Sequence, residues 1–240
     1  MLKGVFLLMN YIGLERRELP YEIAEELKSL RTNLQFCGKD KKVLMLTSCL
    51  SGEGKSTVSL EVARSFAELG KQVLLIDADL RKSVLDERVV DGTVHYGLSH
   101  YLSGQCSLDD AVYSTETEGL DVIPAGAMAP NPSELISNET FSKLIQNSRS
   151  AYDYVIVDCA PLGMVVDAAV VAPRCDGAVL VIESGTIKYR FAREVAKKLQ
   201  NTNCPMLGVV LNKVDRRSGR YGKYYGYGGY GHRYSAYYQK

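Results

Sequence analysis

The chain has 240 residues, 46% hydrophobic and 24% charged, which is enough apolar material for one substantial water-soluble domain with short appendages. A formal net charge of +1 names no partner through bulk electrostatics. The six cysteines (Cys37, Cys49, Cys106, Cys159, Cys175 and Cys204) show no CxxC spacing and sit mostly in apolar stretches, which favours reduced thiols over a thiolate metal site.

In chain order, residues 1–11 come first and carry an apolar run at 5–9. A membrane span needs about 20 apolar residues, so this run is too short to cross a bilayer and reads as a packing arm. If the protein works at a membrane, something else must hold it there. Residues 20–36 read as a helix, with Leu27, Leu30 and Leu34 on one stripe and Glu25, Lys28 and Arg31 on another face. After Gly38 the pattern becomes strand, loop, helix. Strands are predicted at 43–46, 73–76, 120–123, 154–157, 178–182 and 207–211, and helices at 56–69, 133–148 and 188–199. Near-continuous apolar strands alternating with helices imply an α/β fold, a mostly parallel sheet covered by helices on both faces.

The segment Ser51-Gly52-Glu53-Gly54-Lys55-Ser56-Thr57 follows the first of these strands and opens a helix. Its glycines let backbone amides turn toward a phosphate, and the helix N-terminus adds partial positive charge there. Lys55 can reach β- and γ-phosphates, and the Ser56 hydroxyl can ligate Mg²⁺. Cys49 stands where the usual pattern has its first glycine. A Gly-rich turn with a chance lysine is the bland alternative, and the strand-loop-helix context disfavours it. Two further strands end in acids: 74–81 carries Asp77, Asp79 and Arg81, and 155–161 carries Asp158. Asp77 and Asp79 are two apart, so an extended strand end would point both the same way. Alone, such acids are common helix caps. Beside a phosphate loop they can hold Mg²⁺ and accept a proton from a nucleophile. Asn212-Lys213-Val214-Asp215 matches the base-reading N-K-x-D of GTPases, but the D-x-x-G partner is missing, since Asp158 precedes Cys159-Ala160-Pro161.

The C-terminal segment is different in kind. Tyr221, Tyr224, Tyr225, Tyr227, Tyr230, Tyr234, Tyr237 and Tyr238 are half of the chain's 16 tyrosines, interleaved with glycines and basic residues. It reads as flexible, because it lacks large aliphatic residues to offset the entropy of ordering. A basic aromatic strip can also bind single-stranded nucleic acid. The favoured expectation is no nucleic-acid partner.

Together these residues resemble the bacterial tyrosine kinases (BY-kinases) in their split, soluble form, from Glu25 to the tail. The Walker A resembles 51–57, the Walker A′ 74–81 and the Walker B 155–161. The oligomerisation motif E-x-x-R-x-x-R resembles Glu25, Lys28 and Arg31, with Lys28 in place of the first arginine. Pro130-Asn131-Pro132-Ser133-Glu134-Leu135 is similar to another family stretch.

The resemblance implies a P-loop nucleotide hydrolase fold with three regions. These are an arm and oligomerisation helix (1–37), a kinase domain (38–215) and a tyrosine-rich tail (216–240). It implies ATP and Mg²⁺ as cofactors, with Lys55, Asp77, Asp79 and Arg81 in catalysis and Asp77 as base. Residues 51–57 and Asn212 would contact nucleotide, and Ser56, Asp79 and Asp158 would hold metal. The tail tyrosines would accept phosphate in trans within a ring of copies. A membrane activator, a tyrosine phosphatase, a role in capsule or exopolysaccharide export, and a cytoplasmic location at the inner membrane face come with it. The alternative is a MinD/ParA-type ATPase switch. Such switches carry a second loop lysine where this chain has Leu50.

Overall fold

The computed structural model describes residues 10–215. The apolar run at 5–9 and all eight tail tyrosines lie outside the described residues.

The strands are β1 (Asn10–Leu14), β2 (Val43–Ser48), β3 (Val73–Asp77), β4 (Val89–Gly92), β5 (Tyr113–Ser114), β6 (Leu120–Ile123), β7 (Tyr154–Asp158), β8 (Gly177–Glu183) and β9 (Met206–Asn212). They form one nine-stranded sheet, β4-β1-β5-β6-β3-β7-β2-β8-β9. From β6 to β9 every neighbouring pair is parallel, whereas β5–β6 and β1–β4 are antiparallel. The helices are α1 (Tyr21–Phe36), α2 (Lys55–Ala67), α3 (Leu98–Leu102), α4 (Leu108–Ala111), α5 (Pro132–Ser137), α6 (Glu139–Ala151), α7 (Asp167–Val171) and α8 (Tyr189–Gln200).

The unbroken apolar character of the central strands follows from burial on both sides. Successive side chains alternate faces. Val43, Met45, Leu74, Ile76, Val155 and Val157 therefore join one core with Phe141, Leu144 and Ile145 of α6, Val171 of α7, and Val195 and Leu199 of α8. Leu44, Leu46, Val73, Leu75 and Ile156 join the other, with Val58, Leu60, Val62 and Phe66 of α2. The α1 stripe Leu27, Leu30 and Leu34 packs against this second core, so its expected apolar face is the one that is covered. Phe66 stacks on Tyr154 at 4.0 Å between ring centroids, tying α2 to β7. Full burial of a side chain of this size stabilises the fold by about 1.5–3 kcal/mol.

The structure adds the short elements β4, β5, α3, α4 and α7 to those the sequence pattern marks, and differs from that pattern in two places. The helix expected over 133–148 is broken into α5 and α6 at Asn138, whose side chain accepts the Phe141 amide and caps α6. Residues 10–14 form β1, which pairs with β4 and β5 inside the sheet. Four cysteines are buried free thiols, Cys106 is half-buried, and Cys37 is exposed at the end of α1. Burial pushes the Cys49 thiol up to about 12 and holds Cys159 and Cys175 well above the usual thiol range.

Candidate active site

The site forms where β2, β3 and β7 end together, the carboxyl edge at which open α/β sheets bind ligands. Gly52 and Gly54 have φ of +85° and +89°, and Gly54 passes directly into α2. A Cβ on Gly54 would meet the Asn212 amide at 2.1 Å, so both backbone conformation and space demand glycine there.

Lys55 opens α2 and is only 8% exposed. Its Nζ donates to Asp158 Oδ2 at 3.2 Å and Ser56 Oγ at 3.0 Å, and it pairs with Asp79 Oδ2 at 3.0 Å. Burial opposes its charge, but the attraction of Asp158, Asp79 and Asp77 outweighs burial and raises its pKa. Asp158 is also held by the Ser59 hydroxyl at 3.0 Å. Asp77 ends β3, accepts from Ser83 Oγ at 2.6 Å, and accepts the Asp79 amide at 3.0 Å. The chain therefore turns after Asp77. Asp79 reaches Lys55 through this turn rather than through continued strand alternation, while Asp77 acts on the lysine only through its charge. Burial and the neighbouring Asp158 charge push Asp77 up to about 7, against the opposing pull of Lys55 and Ser83.

Other expected residues take different positions. The Glu53 side chain is buried, with Glu53 2% exposed. It accepts the Leu50 amide at 2.6 Å and the Glu183 amide at 3.2 Å, so it braces the loop against β8. Asn212 donates to the Glu53 carbonyl at 2.9 Å, and Lys213 donates to the Gly52 carbonyl at 2.7 Å. The end of β9 thus grips the same loop. Thr57 accepts from Arg88. Ser51 is exposed at the loop tip. Arg81 does not join the Lys55 cluster. It forks onto the buried Asp167 and also donates to Ser133 Oγ at 3.1 Å. Ser133 had a signal in the 130–135 stretch, whereas Asp167 and Ser83 had none.

On α1, Lys28 pairs with Glu25 at 2.7 Å on the exposed face. Arg31 is turned inward and donates to the Ser65 carbonyl at 2.8 Å and the Ser65 hydroxyl at 3.0 Å. The three residues do not share one free face.

Among the described residues, no three His, Cys, Asp or Glu side chains form an all-protein metal cage. The donor set still suits a divalent cation: three buried carboxylates face one ammonium, with a serine hydroxyl beside them. Magnesium in such sites completes its shell with phosphate oxygens and water.

A glycine loop opening a helix, with a lysine among three strand-end aspartates, defines a P-loop nucleotide-binding protein. A family model described as an AAA domain matches residues 41–202. The tyrosine-protein kinase CpsD of Streptococcus agalactiae is 42% identical over 198 residues, covering 82% of this chain and 86% of CpsD. The succinoglycan biosynthesis transport protein ExoP of Rhizobium meliloti is 35% identical over 213 residues, 87% of this chain but 27% of ExoP. Among solved structures, the kinase domain of the Escherichia coli tyrosine kinase ETK has a TM-score of 0.76 at 29% identity, covering 87% of this chain and 91% of that one. MinD of Pyrococcus horikoshii, complexed with Mg-ADP, has a TM-score of 0.62 at 26% identity, covering 74% and 72%. The chain belongs to the bacterial tyrosine kinase family.

Proposed function

We propose that this chain uses ATP and Mg²⁺ to phosphorylate tyrosines of its own C-terminal segment in trans, in the control of capsule or exopolysaccharide synthesis. The observation that carries this reading is the buried Lys55 at the mouth of the glycine loop, paired with Asp79 and Asp158 and lying in the field of the buried Asp77, whose pKa burial and Asp158 raise.

When bound, ATP supplies the γ-phosphoryl group and Mg²⁺ neutralises its charge. Lys55 and the amides of residues 51–57 hold the phosphates. Ser56, Asp79 and Asp158 hold the metal, directly or through water. Asn212 lies beside the loop where the base would rest. A free tyrosine hydroxyl has a pKa of ~10, so its proton needs a receiver as the oxygen attacks. Asp77, with its pKa raised to about 7, is a stronger base than an ordinary carboxylate. Arg81 supplies positive charge at the mouth.

The remaining parts follow the family pattern. Glu25 and Lys28, paired on the exposed face of α1, contribute to a ring of copies, with Arg31 holding α1 onto Ser65 of α2 behind them, so that one tail enters its neighbour's site. ExoP carries a matching unit within a longer transport protein, which supports a membrane partner that recruits this chain to the inner face and activates it. Among the described residues no helix is long and apolar enough to cross a membrane. A tyrosine phosphatase reverses the modification.

The test is incubation with labelled Mg-ATP followed by mass mapping. Phosphate on tyrosines between 221 and 238 is the expected result. Free phosphate with no label on tyrosine would instead identify a MinD-like ATPase switch.

A further inference from the structure

Two residues at the mouth that this mechanism leaves unused, Asp167 and Ser133, form a junction with Arg81. Three segments far apart in sequence meet there: the loop after β3, the first turn of α5 and the first residue of α7. Asp167 is 1% exposed, an unusual position for a carboxylate, and it has no counterpart in the motifs. Its Oδ2 accepts from Arg81 Nε, and its Oδ1 accepts from Arg81 Nη2 at 3.1 Å and from the Ser133 hydroxyl. The guanidinium is thus gripped along one edge by a bidentate fork, which fixes its plane as well as its position. Its other edge is open. The side chain is 39% exposed, and among the described residues Nη1 has no hydrogen-bond partner. Arg81 lies two residues beyond Asp79, whose oxygen pairs with Lys55.

Here only the carboxylate is buried, and the cation is left half in solvent beside the catalytic acids. We propose that Asp167, seconded by Ser133, is a positioning residue that presents Arg81 to the phosphoryl group in transfer. This deepens the kinase reading given above and rests on it. In the step, the bond from the γ-phosphorus to the ADP oxygen breaks and a bond to the acceptor oxygen forms. The acceptor's proton passes to Asp77. Negative charge gathers on the phosphoryl oxygens and the departing ADP, and the open edge of Arg81 meets it. A fixed donor aimed at developing charge needs no reorganisation at the moment of reaction.

The test compares wild type, Arg81→Ala, Asp167→Asn, Ser133→Ala and the double variant Arg81→Ala/Asp167→Asn. Total ADP release under saturating Mg-ATP is read for every variant, and phosphotyrosine is read separately. Arg81→Ala should lower kcat about 100-fold, the scale of losing one preorganised donor. Asp167→Asn should lower kcat about 10-fold or more, the usual cost of removing an orienting partner, with KM for ATP unchanged. The double variant should be no slower than Arg81→Ala alone. Two losses that multiply, or an Asp167→Asn chain with a lower Tm but full kcat in its folded fraction, would overturn the proposal. Should Asp167→Asn not fold, Ser133→Ala carries the same comparison, with a kcat loss that disappears in the Arg81→Ala background. Normal ADP release without phosphotyrosine in the wild type would sink the kinase reading, while the ADP measurements still decide the coupling of Arg81 to Asp167.

Discussion

Lys55 is the residue on which the site's charge balance turns. Two carboxylates pair with its ammonium and a third, Asp77, acts on it through charge, within a region almost closed to water. Lys55→Met removes the only positive charge bonded to Asp79 and Asp158 among the described residues, and with it the group that meets the β- and γ-phosphates. Tyrosine labelling should fall roughly 100-fold or more, as measured with labelled ATP. Undiminished labelling would show that the site lies elsewhere.

Asp77 gives a second residue-scale prediction, about stability. Its pKa is raised from 3.8 to about 7 on folding, because burial and Asp158 disfavour its charge. A raised carboxyl binds its proton more tightly in the folded state. The stability this adds is complete below the unfolded value near 3.8 and is lost as pH climbs through about 7. Asp77→Asn removes that loss. In metal-free buffer the variant should melt close to wild type near pH 4 and increasingly above it toward pH 8, by a few kcal/mol in order of magnitude. Thermal melts across that range check it, and a constant gap would contradict it. The residues gathered at this point were legible because each ends an apolar run or sits in a glycine loop. Asp167 and Ser83 were not. Asp167 becomes an Arg81 partner only when the fold closes a sequence separation of 86. The inward turn of Glu53 was equally hidden, because a loop pattern records backbone shape and not where its side chain points.

At the scale of elements, the strong signals were those with two-sided burial. Five of the six predicted strands, β2, β3, β6, β7 and β8, lie inside the sheet and were predicted in place because parallel strands buried on both faces read as unbroken apolar runs, while β9, the half-exposed edge strand, was found by its apolar run alone. β1, β4 and β5 carried no such signal. β5 has two residues, and β4 leaves most of its residues exposed. The break at Asn138 was written in the sequence as a capping residue, yet the apolar period on either side of it masked the stop.

The α1–α2 junction yields the next prediction. Arg31 spends its guanidinium on Ser65 of α2, so Arg31→Ala should destabilise the fold by about 1–2 kcal/mol through lost charge-assisted hydrogen bonds. Glu25→Ala with Lys28→Ala touches only an exposed pair, and its melting temperature should stay at the wild-type value. That double variant is therefore the clean probe of the proposed ring. Light scattering should show it as a smaller species than wild type at equal concentration, and an unchanged mass would count against this face as the interface.

At the scale of the whole molecule, the question is how the catalytic edge of the sheet meets a tyrosine-rich segment of the same chain. β9 leads through Asn212 and Lys213, both bonded to the phosphate loop, directly toward residue 216. The segment from 216 onward is basic, with Arg216, Arg217, Arg220, Lys223, Arg233 and Lys240 and no Asp or Glu. Its charge suits approach to bound ATP and to an acidic site, an attraction that salt weakens. Phosphate added at each tyrosine carries about −1.5 to −2 at pH 7, which would reverse that attraction and release the product. Removing residues 219–240 should therefore abolish most self-labelling while leaving ATP binding intact. Such a truncated, active chain, mixed with a full-length Lys55→Met chain, should label the latter, and faster at low salt than at high. If the mixture stays unlabelled at high concentration while the full-length active chain labels itself, transfer is within one chain and the ring is not needed for it. If the label falls on Tyr101, Tyr113 or Tyr152 instead, the C-terminal cluster is not the acceptor. Tyr113 is 1% exposed and Tyr152 donates to Asp121 at 2.8 Å, so neither is poised to leave the fold and enter a neighbour's site.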